Sequence, residues 1–101
     1  MKFKSDIQPQ ISDSNRVYNT ALVTLVEKGF QVWFDQQSGL FRAEKDGWDF
    51  AALEPTKLLG VVAIYEHVAP REYGEYWWRL DEPRLVDSVP VVNADTESED
   101  D

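Results

Sequence analysis

The sequence predicts an α+β fold: a single small domain in which a three-stranded antiparallel meander packs on two helices, in the order α-β-β-β-α. An apolar pattern of helical period precedes three short segments of alternating polarity, and a second apolar run of helical length follows them. The chain has 101 residues, 43% of them hydrophobic. That length supports one core and is too short for two conventional domains.

The first helix is predicted over residues 14–28. Side chains that cap helices well lie between Ser12 and Asn15, and Gly29 follows the last apolar position. Between these signals, apolar side chains recur at three- and four-residue spacing, so the helix is amphipathic. The apolar set is Val17, Tyr18, Ala21, Leu22, Leu25 and Val26.

The meander is predicted over residues 30–35, 40–45 and 47–52. Asp46-Gly47 is a dipeptide that favours a type I′ hairpin turn, so Lys45 should face Trp48 across it. The four residues "QQSG" connect the first two strands. With Asp35 facing Leu40, this connection should set Phe34 against Phe41 and Trp33 against Arg42.

This register divides the strand residues between two faces, because successive side chains point to opposite sides of a sheet. The inner face, which the helices should cover, collects Phe30, Val32, Phe34, Phe41, Ala43, Phe50 and Ala52. The outer face is mostly polar with one large aromatic residue in its middle. It carries Gln31, Trp33, Asp35, Leu40, Arg42, Glu44, Asp49 and Ala51.

The second helix is predicted to begin at Pro55, which suits the first helical position, and to end near Pro70. Its residues are apolar around most of the circumference, so we expect it to be buried. Gly60 should then allow the helix backbone to approach the sheet closely. The following segment "PREYGEYWWRL" is predicted as either a further short helix or an extended wrap.

The sequence predicts three parts: a loosely ordered arm (1–11) of mixed polar and apolar residues interrupted by Pro9, the α+β domain (12–80), and an acidic tail (81–101) that we expect to be flexible and largely disordered towards its end. The net charge is −9, and eight acidic residues against Arg84 place −7 of it in the tail. The body is therefore close to neutral. It offers no basic patch for nucleic acid.

Composition excludes several kinds of chemistry. The chain has no cysteine, which removes disulfides, thiolate metal sites and cysteine nucleophiles. The single histidine, His67, is expected at a helix C-terminus, where it complements the helix dipole. No sequence motif of catalysis or metal binding occurs. We therefore expect no enzymatic activity, cofactor or metal. No apolar run is long enough to cross a bilayer, and we expect a cytoplasmic protein.

The order of elements is also that of double-stranded RNA binding domains, an analogy of architecture alone. Those domains hold phosphates with lysines near the start of the last helix, whereas here Lys57 stands alone beside Glu54. The residues thus do not support the activity. Nucleic-acid binding by a domain of this architecture (dsRBD-like) stays an alternative hypothesis on the order of elements alone, and a small-ligand or enzymatic site near His67 is another.

The candidate site residues are aromatic or lie beside aromatic residues. Trp33 and Arg42 would form either a stacked cation–π pair or, with Leu40, the centre of a contact patch. In "YGEYWWRL", Trp77 and Trp78 cannot point the same way, so at most one of them enters the core by simple packing. The other needs a cover, either the valine-rich stretch at 83–92 or a partner.

These patterns lead to a small protein-interaction module of the adaptor, inhibitor or immunity type. It would bind a protein partner through aromatic surface and the acidic side chains around it, which would suit a basic partner. The candidate partner-binding residues are Trp33, Leu40, Arg42, Trp77 and Trp78. A homodimer built on the exposed aromatic residues is compatible with this hypothesis.

Overall fold

The computed structural model of the chain describes residues 9–80 and 84–92, and it confirms the predicted order of elements. The strands form one antiparallel sheet in the order β1-β2-β3. None of the helices within the described residues is long and apolar enough to span a membrane. The elements are α1 (Tyr18–Glu27), β1 (Gln31–Asp35), β2 (Leu40–Lys45), β3 (Trp48–Ala52) and α2 (Pro55–Val68), with single 3-10 turns at Asn15–Val17 and Leu85–Asp87.

The two ends of the chain are described only in part. Residues 1–8 of the predicted arm lie outside the described residues, as do 81–83 and 93–101 of the predicted acidic tail. Residues 9–11 and 84–92 are exposed.

Helix α1 and the 3-10 turn before it occupy the segment predicted as the first helix. The hydroxyl of Ser14 accepts a hydrogen bond from the backbone N–H of Arg16 at 3.3 Å, which caps the start. Gly29 follows the end with a φ of +97°, a backbone conformation that glycine adopts without strain. The capping signals in the sequence therefore located both ends of the helical segment.

The register of the meander is the predicted one. Lys45 faces Trp48 across the second hairpin, and Trp33 faces Arg42 across the first. Asp46 and Gly47 have φ values of 52° and 85°, the positive angles that a type I′ turn requires at both central residues.

The core lies between the inner face of the sheet and the two helices. Side chains from the sheet and from the buried side of each helix pack together there. The core residues are Leu25, Phe30, Ala43, Phe50, Leu58 and Val62. Phe34 departs from the prediction, because it lies on the inner face yet remains 49% exposed. Its ring packs on Phe41 with centroids 5.0 Å apart, at the end of β1 that the helices leave open.

Helix α2 is not buried around its circumference, which corrects the prediction. Pro55, Leu58 and Val62 are buried, whereas Val61 and Ile64 are 36% and 46% exposed. The helices form a single layer on one face of the sheet, and no further described layer covers their other side. An apolar circumference predicts burial only where such a layer exists.

Gly60 lies on the open side of α2, so its predicted role in close packing against the sheet is wrong. A Cβ atom added at this position would meet no heavy atom within 4 Å. At Gly29, in contrast, an added Cβ would lie 3.4 Å from Cε of Lys45, and the backbone has the left-handed conformation noted above.

Two lysines connect the layers around Gly29. Lys45 donates from Nζ to the carbonyl oxygen of Lys28 at 2.8 Å, and its ammonium lies 5.4 Å from the centroid of the Phe30 ring. Lys28 in turn pairs with Glu66 of α2, with Nζ 3.0 Å from Oε1. The C-terminal end of α1 is thereby held by both the hairpin and the second helix.

The start of α1 lies near the start of α2. Thr56 donates from its hydroxyl to Oδ1 of Asp13 at 2.7 Å. Desolvation raises the pKa of the Tyr18 phenol, and the negative charges of Glu54 and Asp13 raise this pKa further. The phenolate is therefore less favourable in the folded chain than in the unfolded chain. The free energy of unfolding consequently falls as pH rises above the ordinary tyrosine pKa near 10.

The two glycines give a matched test of this geometry. Gly60→Ala should raise the free energy of unfolding by about 0.5–1 kcal/mol, since alanine favours an exposed helix interior and meets no neighbour. Gly29→Ala should lower it by about 1 kcal/mol or more, because the left-handed backbone disfavours a side chain. Urea denaturation of both variants measures the two changes. A destabilising Gly60→Ala would show that this position packs against another part of the chain.

Candidate interaction surface

The outer face of the sheet, formed by the eight residues assigned to it above, presents one large aromatic side chain. Trp33 is 43% exposed and lies directly opposite Arg42 in the ladder, while Leu40 pairs with Asp35 at the same end of the strands. The structure therefore brings Trp33, Leu40 and Arg42 together. The helices and the core lie on the opposite face, so Trp33 is not enclosed among the phenylalanines.

Arg42 does not form the stacked pair with Trp33 that the register suggested. Its Nη2 donates instead to Oδ2 of Asp49 at 2.7 Å, a diagonal contact across β2 and β3. The Nε atom of Arg42 is shielded from solvent and has no acceptor among the described residues. The guanidinium is thus held towards Asp49, and one of its donors stays unsatisfied.

The other carboxylates of the outer face stabilise turns. Oδ1 of Asp35 accepts from the backbone N–H of Gln37 at 3.0 Å, and Oε2 of Glu44 accepts from that of Gly47 at 2.9 Å. Both hairpin connections are therefore fixed by an acidic side chain from the preceding strand. Sequence reasoning missed these roles, although an aspartate two residues before a turn N–H is a recognisable signal.

Trp77 packs against the core and Trp78 does not, in line with the prediction that at most one of the two rings enters the core, but the predicted cover over the second ring is not seen among the described residues. Trp77 is half-buried against the core, with its ring centroid 5.5 Å from that of Trp48 and 6.0 Å from that of Tyr65. Trp78 is 48% exposed and contacts Trp77 and Tyr76 at centroid distances of 6.0 and 5.5 Å. Trp77 therefore anchors the segment after α2.

That segment is neither a helix nor an extended strand. Helix α2 ends at Val68, and Ala69 follows in a left-handed conformation with a φ of 49°. Isolated turns then carry the chain to Leu80, with Tyr76 at a φ of 58°. The helical alternative required Tyr73 and Leu80 to share a buried face with Trp77, yet they are 75% and 52% exposed.

The described part of the valine-rich stretch does not bury its apolar side chains against the body. Its five apolar residues are 57–87% exposed: Leu85, Val86, Val89, Val91 and Val92. Residues 84–92 therefore do not provide the cover that the sequence led us to expect for Trp33 or Trp78, which are 43% and 48% exposed.

The five predicted site residues fall on two surfaces. Trp33, Leu40 and Arg42 share the outer face, whereas Trp77 packs on the inner-facing Trp48 and Trp78 packs on Trp77. Sequence reasoning did not assign Trp48 to either face. The alternation of side chains does predict that Trp48 lies on the inner face, since it is two residues before the inner-facing Phe50.

An open cleft of about 430 Å³ lies next to this second aromatic group. Neither His67 nor Trp33 lines it. Its walls come from the second hairpin and the segment after α2, namely Gly47, Trp48, Asp49, Phe50, Arg71, Glu72, Tyr73 and Trp77. Within the described residues, no three acidic, histidine or cysteine side chains converge as metal ligands would.

The unequal burial of the two tryptophans gives a direct test. Trp77→Ala should lower the free energy of unfolding by about 2 kcal/mol, below the usual cost at a full core position because the ring is half-buried. Trp78→Ala should cost about 0.5 kcal/mol, as is usual for exposed side chains. Urea denaturation distinguishes them. Equal losses would indicate that both rings are packed.

Comparisons with protein-family models, with curated proteins and with solved structures found no match to this chain.

Proposed function

We propose that this protein is a small interaction module, of the adaptor, inhibitor or immunity type, that binds a protein partner through the outer face of its sheet. The observation that carries the proposal is Trp33, a large indole 43% exposed at the centre of a face opposite the helices. Burying such a ring on binding contributes a large part of the affinity of many protein interfaces.

The surroundings of Trp33 resemble the usual anatomy of an interface. Leu40 adds apolar area beside it, and charged side chains form the border. Three carboxylates, from Asp35, Glu44 and Asp49, stand against the single guanidinium of Arg42. The two net negative charges favour a partner whose contact surface is basic, and they would speed its approach at low salt.

Arg42 gives the proposed surface a further specific feature. Its shielded Nε lacks an acceptor, and an unsatisfied donor of this kind costs about 1–3 kcal/mol. A partner that places a carbonyl or carboxylate oxygen here, with a small movement of the arginine side chain, would remove that cost. The neighbouring ion pair with Asp49 holds the guanidinium on the outer face.

Trp78, which packs on Trp77 and is 48% exposed, provides a second contact surface. Its role in the proposal is secondary, because Trp77 beside it already serves the core. The proposed location is the cytoplasm, in keeping with a small chain that lacks the cysteines from which small secreted domains often form disulfides.

Affinity purification from the native cell tests the proposal with two matched variants. Trp33→Ala removes the exposed ring of the outer face, and Ile64→Ala removes a similarly exposed apolar side chain from α2. We expect the full chain and Ile64→Ala to recover the same partner. Trp33→Ala should bind that partner about 30-fold more weakly, because truncating a central tryptophan costs roughly 2 kcal/mol of binding free energy.

Circular dichroism should first establish that both variants keep the fold. Equal recovery of the partner by Trp33→Ala and the full chain would contradict the proposal. A chain ending at Leu80 provides a separate arm, because binding centred on Trp33 should survive removal of residues 81–101. Loss of the partner on truncation alone would assign binding to the tail instead.

A further inference from the structure

Strand β1 forms an edge of the described sheet and, apart from the charge of Asp35 at its end, lacks the residues and bulges that usually prevent edge strands from pairing. The strand order is β1-β2-β3, so β1 is hydrogen-bonded to β2 alone among the described strands. Its sequence, "QVWFD", contains no lysine, proline or glycine, and its register with β2 runs without a bulge from Gln31 to Asp35. Natural proteins usually protect an edge with one of these devices.

The register also determines which backbone groups face outwards. The two-residue turn at Asp46-Gly47 closes on Lys45 and Trp48, which therefore exchange hydrogen bonds. In an antiparallel ladder the bonded residues alternate along each strand. Odd-numbered residues of β2 consequently bond to β3, and even-numbered ones bond to β1. The even-numbered residues of β2 face Gln31, Trp33 and Asp35, so these three residues of β1 use their backbone groups within the sheet. The N–H and C=O groups of Val32 and Phe34 therefore point to the open edge.

Both faces of β1 present an aromatic ring at this edge. Trp33 is 43% exposed on the outer face, and Phe34 is 49% exposed on the inner face. The exposure of Phe34 shows that α1 does not extend over this end of the strand. No described strand occupies the edge, and a second strand placed there would find apolar side chains on either side of the new ladder.

We propose that β1 pairs antiparallel with β1 of a second copy of this chain, with the two-fold axis at Trp33, to form a continuous six-stranded sheet. The inference rests on the proposed function, because both assign binding to the exposed Trp33 ring. It adds that one of the partners is a second copy of this chain. Val32 of each copy would face Phe34 of the other, and these two pairs would exchange about four backbone hydrogen bonds.

The side chains of β1 are complementary to themselves in this register. Trp33 faces Trp33 of the second copy at the close, non-hydrogen-bonded position, where ring pairs add stability. Gln31 faces Asp35 of the second copy, so an amide donor meets a carboxylate and no like charges are opposed. Shifting the register by two residues would set Trp33 against Asp35 or Gln31, which loses the ring pair.

The opposite edge of the sheet is less suited to pairing. On β3, Asp49 would place a carboxylate at the ladder, and its side chain is already paired with Arg42. The rings of Tyr73 and Trp77 also pack on Trp48 at the start of that strand. The charge of residues 1–80 opposes the dimer only weakly, since these residues carry −2 of the net −9 of each copy.

The pairing strand is five residues long, about 17 Å, so the contact is small by the standard of stable dimers. We therefore expect a weak dimer, with a dissociation constant on the order of 10 µM. In this dimer the two outer faces become continuous, and both Trp33 side chains lie at their centre.

Residue 33 lies opposite residue 33 of the second copy in the proposed dimer. This arrangement permits a charge-complementation test by sedimentation velocity. Trp33→Lys alone and Trp33→Glu alone should both be monomeric at about 100 µM, because like charges are then directly opposed. An equimolar mixture of the two should form a heterodimer. The matched control pair, Ile64→Lys and Ile64→Glu, changes an exposed side chain of α2 and should dimerise as the unchanged chain does.

Amide hydrogen exchange of the unchanged chain gives a readout that needs no variant. Raising the concentration through the dissociation constant should slow exchange at Val32 and Phe34, whereas the amide of Trp33 is already bonded within the sheet. A chain that stays monomeric at about 1 mM would overturn the inference. So would a dimer in which these two amides continue to exchange rapidly.

The failures of the two proposals are distinguishable. A monomeric chain that still captures a protein through Trp33 would overturn the dimer and leave the proposed function intact. A dimer with protected edge amides that captures no other protein would support this inference and contradict the proposed heterologous binding.

Discussion

The structure depends on the register of one hairpin. The turn at Asp46-Gly47 pairs Lys45 with Trp48, and this pairing sets Ala43 beside Phe50 on the inner face. A slip of one residue would exchange the two faces of a strand, because side chains alternate with a period of two. The positive φ angles of the turn, together with the carboxylate of Glu44 bonded to Gly47, hold the register in place.

The small core leaves much of the chain's aromatic surface outside. One layer of helices covers one face of a three-stranded sheet, and six buried side chains connect them: Leu25, Phe30, Ala43, Phe50, Leu58 and Val62. The same parity that places Phe30 and Ala43 inside places Trp33 outside. The exposed indole is therefore a consequence of the register that builds the core, and the proposed function rests on it.

Local patterns predicted the strands, the turns and the register, because alternation and turn chemistry act over a few residues. The environment of α2 could not be predicted in this way, since burial depends on whether another layer of the chain covers the helix. The same dependence explains the error at Gly60. Arg42 was assigned to its direct neighbour Trp33, while the diagonal carboxylate of Asp49 offered a stronger, charged partner.

The candidate site was predictable in its parts and less so in its arrangement. Alternation identified Trp33, Leu40 and Arg42 as one group, and adjacency showed that Trp77 and Trp78 must diverge. The path after Ala69 depends on left-handed residues, Ala69 and Tyr76, which no propensity signals. Ring packing among Trp48, Tyr65 and Trp77 holds this path, and such long-range contacts are not visible in a local pattern.

Nuclear Overhauser contacts of the Trp33 indole test the central claim most directly, because they report which side chains lie within about 5 Å of the ring, where apolar contacts form. The register predicts contacts from the methyl group of Ala43 to Leu58 and Val62, and contacts from the Trp33 ring to residues of the outer face alone. Contacts between the Trp33 ring and Leu25, Leu58 or Val62 would contradict the account, since the indole would then belong to the core.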